Sequence, residues 1–249
     1  MHFPILLLIF LLGTTVLSAQ PGTDTLNRQS AQLEANLKKT LETSSNGAKA
    51  LLALVDHYHE HGRVFGLVRN ARKFATAQPG HPRHKEVMVK LIDGLLITAR
   101  HKELITAVRQ FLTRYAASPE AAGVERRLAD TFEVMGRRED AAAAYRSIST
   151  RLGGNGINDG IKALRLYQGI ENKAAFQASA ELAEKLLDQL PADTRASEIG
   201  WIGLQAARRY SDWTRSNVIG KKLLARNSPL KADLRYRVHL LMGDNDNSL

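Results

Sequence analysis

Leu128 to Ile148 reads LADTFEVMGRREDAAAAYRSI, and this stretch decides the fold. Leu128, Ala129 and Phe132 recur at helical spacing. Gly136 interrupts them, and Ala141, Tyr145 and Ile148 resume the spacing beyond it. Apolar residues at intervals of three and four mark one buried helix face, and a glycine between two such runs marks a bend. The pattern predicts two short amphipathic helices joined by a tight turn. Such a hairpin cannot bury its apolar face alone, so it needs neighbours of its own kind.

Related patterns lie on both sides. Before it, a first hairpin is predicted from about Ala48 to Pro79, with Leu51, Leu54, Val55 and Tyr58, a bend at Gly62, then Phe65, Val68, Ala71 and Phe74. A second runs from Lys85 to Pro119, and the quoted one occupies Glu120 to Gly153. Two more run from Ile161 to Pro191 and from Arg195 to Pro229. The helix stops Pro79, Pro119, Gly153, Pro191 and Pro229 are 40, 34, 38 and 38 residues apart by residue number. Proline and glycine just beyond a helix are ordinary terminators. Leu26 to Leu41 has a thin apolar stripe and is predicted as a leading cap helix after a flexible polar stretch, Gln20 to Thr25. Lys231 to Met242 is one closing helix, and Leu241-Met242-Gly243-Asp244 echoes Val134-Met135-Gly136-Arg137. Breakers every fifteen to twenty residues exclude a coiled coil, which needs sustained heptads.

Bulk properties agree. Of 249 residues few are aromatic and many are alanine or leucine, which favours helices. The net charge is +10 and there is no cysteine. That charge suits an anionic partner, such as an acidic protein segment, a lipid headgroup or a nucleic acid, but it is scattered from Lys38 to Arg237 as a solvated helix surface would be. Phe3 to Leu12 is an apolar run followed by small residues and Ala19-Gln20-Pro21. This is the pattern of a secretory signal peptide over residues 1–19, cut after Ala19. His2 stands where Lys or Arg is usual, and the alternative is an uncleaved N-terminus that associates with a membrane. The chain is expected to be exported, to the bacterial periplasm or outside the cell. Residues 20–45 would form the polar segment and leading helix, 46–243 the repeat domain and 244–249 a tail.

The third hairpin resembles the tetratricopeptide repeat. Leu128, Ala129, Phe132, Gly136, Ala141, Tyr145 and Ile148 fill that family's frame in register, with Gly153 where proline is usual. The second hairpin matches through Gly94, Ala107, Phe111 and Pro119. The first matches through Leu54, Tyr58, Gly62 and Pro79, with Leu67 where alanine is usual. The fifth matches through Trp201, Leu204 and Pro229, and the fourth is weak. An exported array of this kind also resembles bacterial envelope assembly factors, in particular a subunit of outer-membrane β-barrel assembly. That subgroup is lipid-anchored through a cysteine which this chain lacks. The resemblance implies an all-α fold, a right-handed α-α superhelix of about five hairpins plus end helices. It implies a groove lined by the first helix of each hairpin, here by Asp56, His59, Glu60, Leu96, Arg100, Arg126, Asp130, Glu133, Gln168 and Arg209, which would clamp a peptide or a partner helix.

Two stretches suggest other chemistry. His57-x-x-Glu60-His61 fits the short pattern of inverted zinc peptidases, with His57 and His61 one helical turn apart as weak metal candidates. The commoner reading is solvated histidines flanking Tyr58, a packing residue. Gly153 to Gly160 is glycine-rich but lacks the Gly-Lys-Ser/Thr ending of a phosphate loop, so it reads as a mobile joint that lets the halves hinge. Arg208-Arg209-Tyr210 and Trp213-Thr214-Arg215 could stack bases, yet repeat packing accounts for Trp201 and Trp213 more simply. No nucleophile triad stands out. The expectation is a non-catalytic scaffold with no cofactor and no metal, protein partners of acidic character, and no nucleic acid. The alternatives are an accessory or regulatory domain of a cell-wall-acting envelope enzyme, and a basic module for anionic envelope polymers or lipids.

Overall fold

The computed structural model describes residues 21–40, 43–189, 195–225 and 232–242, and among these it contains twelve α-helices, one 3-10 turn and no strand. The predicted signal peptide and its cleavage site, Pro191, Pro229, Gly243 and the tail lie outside the described residues. The chain forms two compact units, residues 1–84 and 85–249.

The first unit holds α1 (Pro21–Lys38), α2 (Ser45–Glu60) and α3 (Val64–Ala77). Ser44 starts α2 by accepting the Gly47 N–H on its hydroxyl at 3.0 Å, the usual service of a serine before a helix. Leu51, Leu54, Val55 and Tyr58 of α2 and Leu67, Val68, Ala71 and Phe74 of α3 are buried, as their spacing predicts. Phe65 is a correction: it is 80% exposed, because the buried stripe of α3 begins at Leu67 and Phe65 falls on the opposite face of the first turn. The stretch expected to be flexible is also helical from residue 21. Proline suits the first position of a helix and Asp24 complements its N-terminal dipole. α1 then packs on α2 through Ser30 and Leu37.

The second unit is built from α4 (His84–Ile97), whose first residue closes the first unit, α5 (His101–Tyr115), α6 (Ala121–Val134), α7 (Arg138–Leu152), α8 (Ile157–Gln168), α9 (Lys173–Gln189), α10 (Ala196–Arg209), α11 (Trp213–Leu224) and α12 (Ala232–Met242). From α5 to α12 consecutive helices pack together, and so do α8 with α10, α9 with α11 and α10 with α12. Contact between every second helix is what stacked hairpins produce. The described helices make five hairpins, α2–α3 in the first unit and α4–α5 to α10–α11 in the second, with α1 and α12 as single end helices.

Four of the five hairpins turn in the same way. Gly62, Ala99, Gly136 and Ser211 have φ of 63°, 52°, 71° and 66°. The next residue returns to negative φ, and its N–H bonds back five residues: Arg63 to the Tyr58 carbonyl, Arg100 to Leu95, Arg137 to Phe132 and Asp212 to Ala207, all at 2.8–2.9 Å. This left-handed cap satisfies the last carbonyls of the first helix while reversing the chain. Positions 62, 99 and 136 step by 37 residues each time, by residue number. The fourth hairpin departs: Gly169 has φ of −90°, and Asn172 begins α9 by accepting the Ala175 N–H at 2.7 Å.

The glycine-rich joint is a second correction. Gly153–Gly156 is a 3-10 turn, and Ile157 to Gly160 are already the first turn of α8. Gly156, Asp159 and Gly160 are buried. A Cβ on Gly160 would stand 2.6 Å from Ser149 Oγ and 2.9 Å from Leu186 Cδ1, so the glycine is there for close helix approach. The segment is a packed splice between α7 and α8, not a hinge.

Candidate interaction site

The residues expected to line one groove have three different surroundings. In the first unit, Asp56 on α2 is held by both ends of the Arg83 guanidinium, at 2.8 and 2.9 Å, while His59 and Glu60 are exposed at the end of the helix. In the second unit, Leu96 is exposed at the end of α4, and Arg100 sits in the turn after it and pairs with Glu103 at 2.6 Å. Arg126, Asp130 and Glu133 of α6 all bond to α8. Arg126 grips Asp159 through Nε at 2.9 Å and Nη2 at 2.7 Å. Asp130 accepts from the Tyr145 hydroxyl and from Lys162 Nζ, the latter at 3.0 Å, and Glu133 accepts from the same ammonium at 2.8 Å. Gln168 and Arg209 meet in a cleft between α8, α9 and α10.

The α6–α8 seam is therefore a staple. Asp159 has a side chain only 9% exposed, and its bidentate bond to Arg126 holds the guanidinium pKa above its ordinary value. Burial pushes the Tyr145 phenol up, and its bond to Asp130 pushes it further. Burial alone would lower Lys162, but its bonds to Glu133, Tyr145 and Asp130 hold it above the ordinary range. Similar pairs continue along the second unit: Asp93 with Arg127 at 2.5 Å, Arg165 with Glu198 at 2.8 Å, Arg146 with Glu181 at 2.9 Å and Lys222 with Asp188 at 2.8 Å. Exposed ion pairs contribute about 0–1 kcal/mol each, so these rungs fix register more than they stabilise. The nearly buried Asp159 is the exception.

The α8–α9–α10 cleft is different in kind. It has a volume of about 110 Å³. Tyr167 and Gln168 come from the end of α8, Phe176 and Ser179 from α9, and Gln205 and Arg209 from α10. The α8–α9 connection, one residue longer than those of the other hairpins and without their left-handed turn, leaves these side chains around one opening. Arg209 lies over the Phe176 ring, 5.4 Å from its centre, and has no carboxylate partner among the described residues. Ser179 is 2% exposed and its hydroxyl makes no hydrogen bond in the protein. A buried hydroxyl without a partner costs about 1–3 kcal/mol, so it is unusual in a native core. Burial also pushes the Tyr167 phenol above its ordinary value.

The histidine pair of α2 serves the end helix. His57 Nε2 is 2.9 Å from Ser30 Oγ on α1, and Ser30 donates to the Leu26 carbonyl, so the histidine nitrogen is the donor. His61 Nδ1 is 2.7 Å from the His57 carbonyl, and the two rings stand 4.6 Å apart. His57 is thus half-buried against α1 instead of solvated; His59 and His61 are the exposed ones. Burial, with repulsion from His61 and Arg63, pulls the His57 pKa below 6.5. Among the described residues no three His, Cys, Asp or Glu side chains converge as a metal site would require. Trp213 is 54% exposed with the Arg208 guanidinium stacked 3.5 Å from its ring centre, so it is a surface stack and not a core residue.

Ser179, Gln205 and Asp159 were not legible as site residues. A serine or glycine on an alanine-rich helix carries the same signal whether it packs or binds. No protein family and no curated protein matches the sequence. Among solved structures, the chain is similar to a tetratricopeptide repeat protein from Parabacteroides merdae, at 14% identity over 80% of this chain and 74% of that one, with a TM-score of 0.45. It is also similar to MamA, at 15% identity over 84% and 98% with a TM-score of 0.43, and to Pseudomonas aeruginosa pilF, at 16% identity over 88% and 93% with a TM-score of 0.41. The class of the molecule rests on its own helices: it is an all-α protein of tetratricopeptide-like hairpins. No described helix is long and apolar enough to cross a membrane.

Proposed function

We propose that this chain is a non-catalytic protein-interaction scaffold of the bacterial envelope, binding a peptide or helix of a partner along the first helices of its hairpins. The observation that carries the reading is the contrast within those helices. Most of their charged side chains are engaged between neighbouring hairpins, whereas Gln168 and Arg209 stand at an open cleft beside a buried hydroxyl without a protein partner. A scaffold needs that division, rigid seams and a few uncommitted groups. Export is read from the apolar run and small residues before Gln20.

Capture of partners from envelope extracts at low salt, using the chain without residues 1–19, tests the binding reading. Specific recovery of one or a few proteins is expected, and recovery of none contradicts it. Binding that instead collapses steeply with salt and extends to anionic lipids or polymers would support the basic-module alternative. N-terminal sequencing of the mature protein tests export: it should begin at Gln20, and an intact Met1 would contradict cleavage.

A further inference from the structure

We infer that the α8–α9–α10 cleft is a pocket for a single carboxylate side chain, an Asp or Glu of an extended partner segment. The inference rests on the scaffold reading and supplies the chemistry of its ligand. Size comes first. At about 110 Å³ the cleft is well below the ~300–1,000 Å³ of pockets that enclose whole small molecules, so it fits one side chain reaching in from outside.

Charge comes next. Arg126, Arg127, Arg165 and Arg215 of the same unit each have a carboxylate partner. Arg209 has none among the described residues; Arg138 and Arg208 lack one too, but Arg138 bonds the Gly169 carbonyl and Arg208 stacks on Trp213, whereas Arg209 faces the cleft with a guanidinium that carries only donors. Ser179 lines the same cleft, and its hydroxyl is buried and unpartnered. Gln168 and Gln205 place amides on the walls, each with an N–H₂ to donate. The polar groups available are therefore mostly donors, and the ligand that satisfies them is an acceptor with no hydrogen to place. An ionised carboxylate is that group. Phe176 and Tyr167 form apolar flanks against which its methylene stem can lie. Binding would relieve the unsatisfied serine at the same moment that it neutralises the arginine, so the two contributions arise together.

The test is an NMR titration of the ¹⁵N-labelled full chain with three probes: acetyl-Gly-Gly-Glu-Gly-Gly-amide, the same peptide with Gln for Glu, and sodium glutarate at matched ionic strength. The glutamyl peptide should shift the Ser179 amide and the Arg209 Nε–H saturably, with the glutaminyl peptide at least about tenfold weaker. Arg209→Gln should weaken the glutamyl peptide by about tenfold without changing the rest of the spectrum, and Ser179→Ala by about threefold. Equal binding of both peptides, no saturable shift with either, or unchanged binding in Arg209→Gln would overturn the pocket. Glutarate binding as tightly as the peptide would overturn the partner side chain as the source. A protein partner held equally by the wild-type and Arg209→Gln chains would remove the pocket and leave the scaffold standing. Glutamyl-peptide binding at the cleft, with no protein captured from the envelope, would do the reverse.

Discussion

The α6–α8 seam and the α8–α9–α10 cleft are one repeat apart, and they use the same kinds of side chain in opposite ways. At the seam, Arg126, Asp130 and Glu133 are engaged in ion pairs with Asp159 and Lys162 on the next first helix. At the cleft, Gln168 and Arg209 are the last residues of α8 and α10, and Arg209 has no carboxylate partner among the described residues. A charged residue on the first helix of a hairpin is thus a staple where the following helix offers the opposite charge one repeat later. It is available for a ligand where the following helix does not. The lesson is that the first helices staple through residues within their length and leave polar side chains open at their C-terminal ends.

Overfilling is the most severe way to break this contrast. Gly160→Leu should cost about 3 kcal/mol in urea unfolding, because Ser149 and Leu186 lie against the glycine and a larger side chain must displace packed helices. Gln168→Leu, on the exposed rim of the cleft, should change stability by less than about 0.5 kcal/mol. Equal losses would mean that the rim of the cleft is as tightly packed as the α7–α8–α9 contact at Gly160.

Next in size is the staple itself. Asp159→Ala removes two charge-assisted bonds from a nearly buried carboxylate and should cost about 1–2 kcal/mol, with the loss largely insensitive to salt. Arg165→Ala removes an exposed pair with Glu198 and should cost less than about 1 kcal/mol, falling further in high salt. Chemical denaturation at low and high ionic strength separates the two.

The turns offer a gain instead of a loss. Ala99 and Ser211 hold φ of 52° and 66° where Gly62 and Gly136 do so without a Cβ clash. Ala99→Gly should therefore stabilise by about 0.5–1 kcal/mol, and Gly136→Ala should destabilise by about the same amount. Thermal unfolding of both variants checks the pair, and a destabilising Ala99→Gly would show that the shared turn is not strained by alanine.

The smallest effect belongs to the first unit, whose end helix rests on His57. Its folded pKa lies below 6.5, so the neutral ring is favoured in the folded chain and the unfolded chain binds the proton more readily. Stability from this group is present above pH 6.5 and is lost as the pH falls through the folded value. Glu34 acts in the same sense at lower pH, because its bond from Tyr58 and the nearby Arg69 hold its carboxyl below 4.5. Protection of α1 amides from hydrogen exchange should fall between pH 7.5 and pH 5.5, and His57→Gln should flatten that dependence.

Much of the architecture was legible because it rests on periodicity. The buried positions of α2, α6 and α7 are the residues spaced at three and four, and Gly62 and Gly136 announced their turns. The misreadings have physical causes. Ala99 hid the 37-residue step and Ser211 hid the fourth turn of the same kind, since neither is a usual left-handed residue. The glycines from 153 to 160 resembled a loop because flexibility and close packing both select glycine, and only the neighbouring Ser149 and Leu186 distinguish them. The site was harder to see. That Arg126 staples to Asp159, 33 residues on by number, and that Arg209 has no carboxylate partner among the described residues are facts of three dimensions that local sequence does not carry.

The most direct measurement pairs two variants, Asp159→Ala and Arg209→Gln, and reads both the urea midpoint and glutamyl-peptide affinity on each sample. Asp159→Ala should lower the midpoint and leave affinity unchanged; Arg209→Gln should leave the midpoint unchanged and lower affinity by about tenfold. An Arg209→Gln chain that unfolds as early as Asp159→Ala and still binds the peptide at full strength would contradict the account.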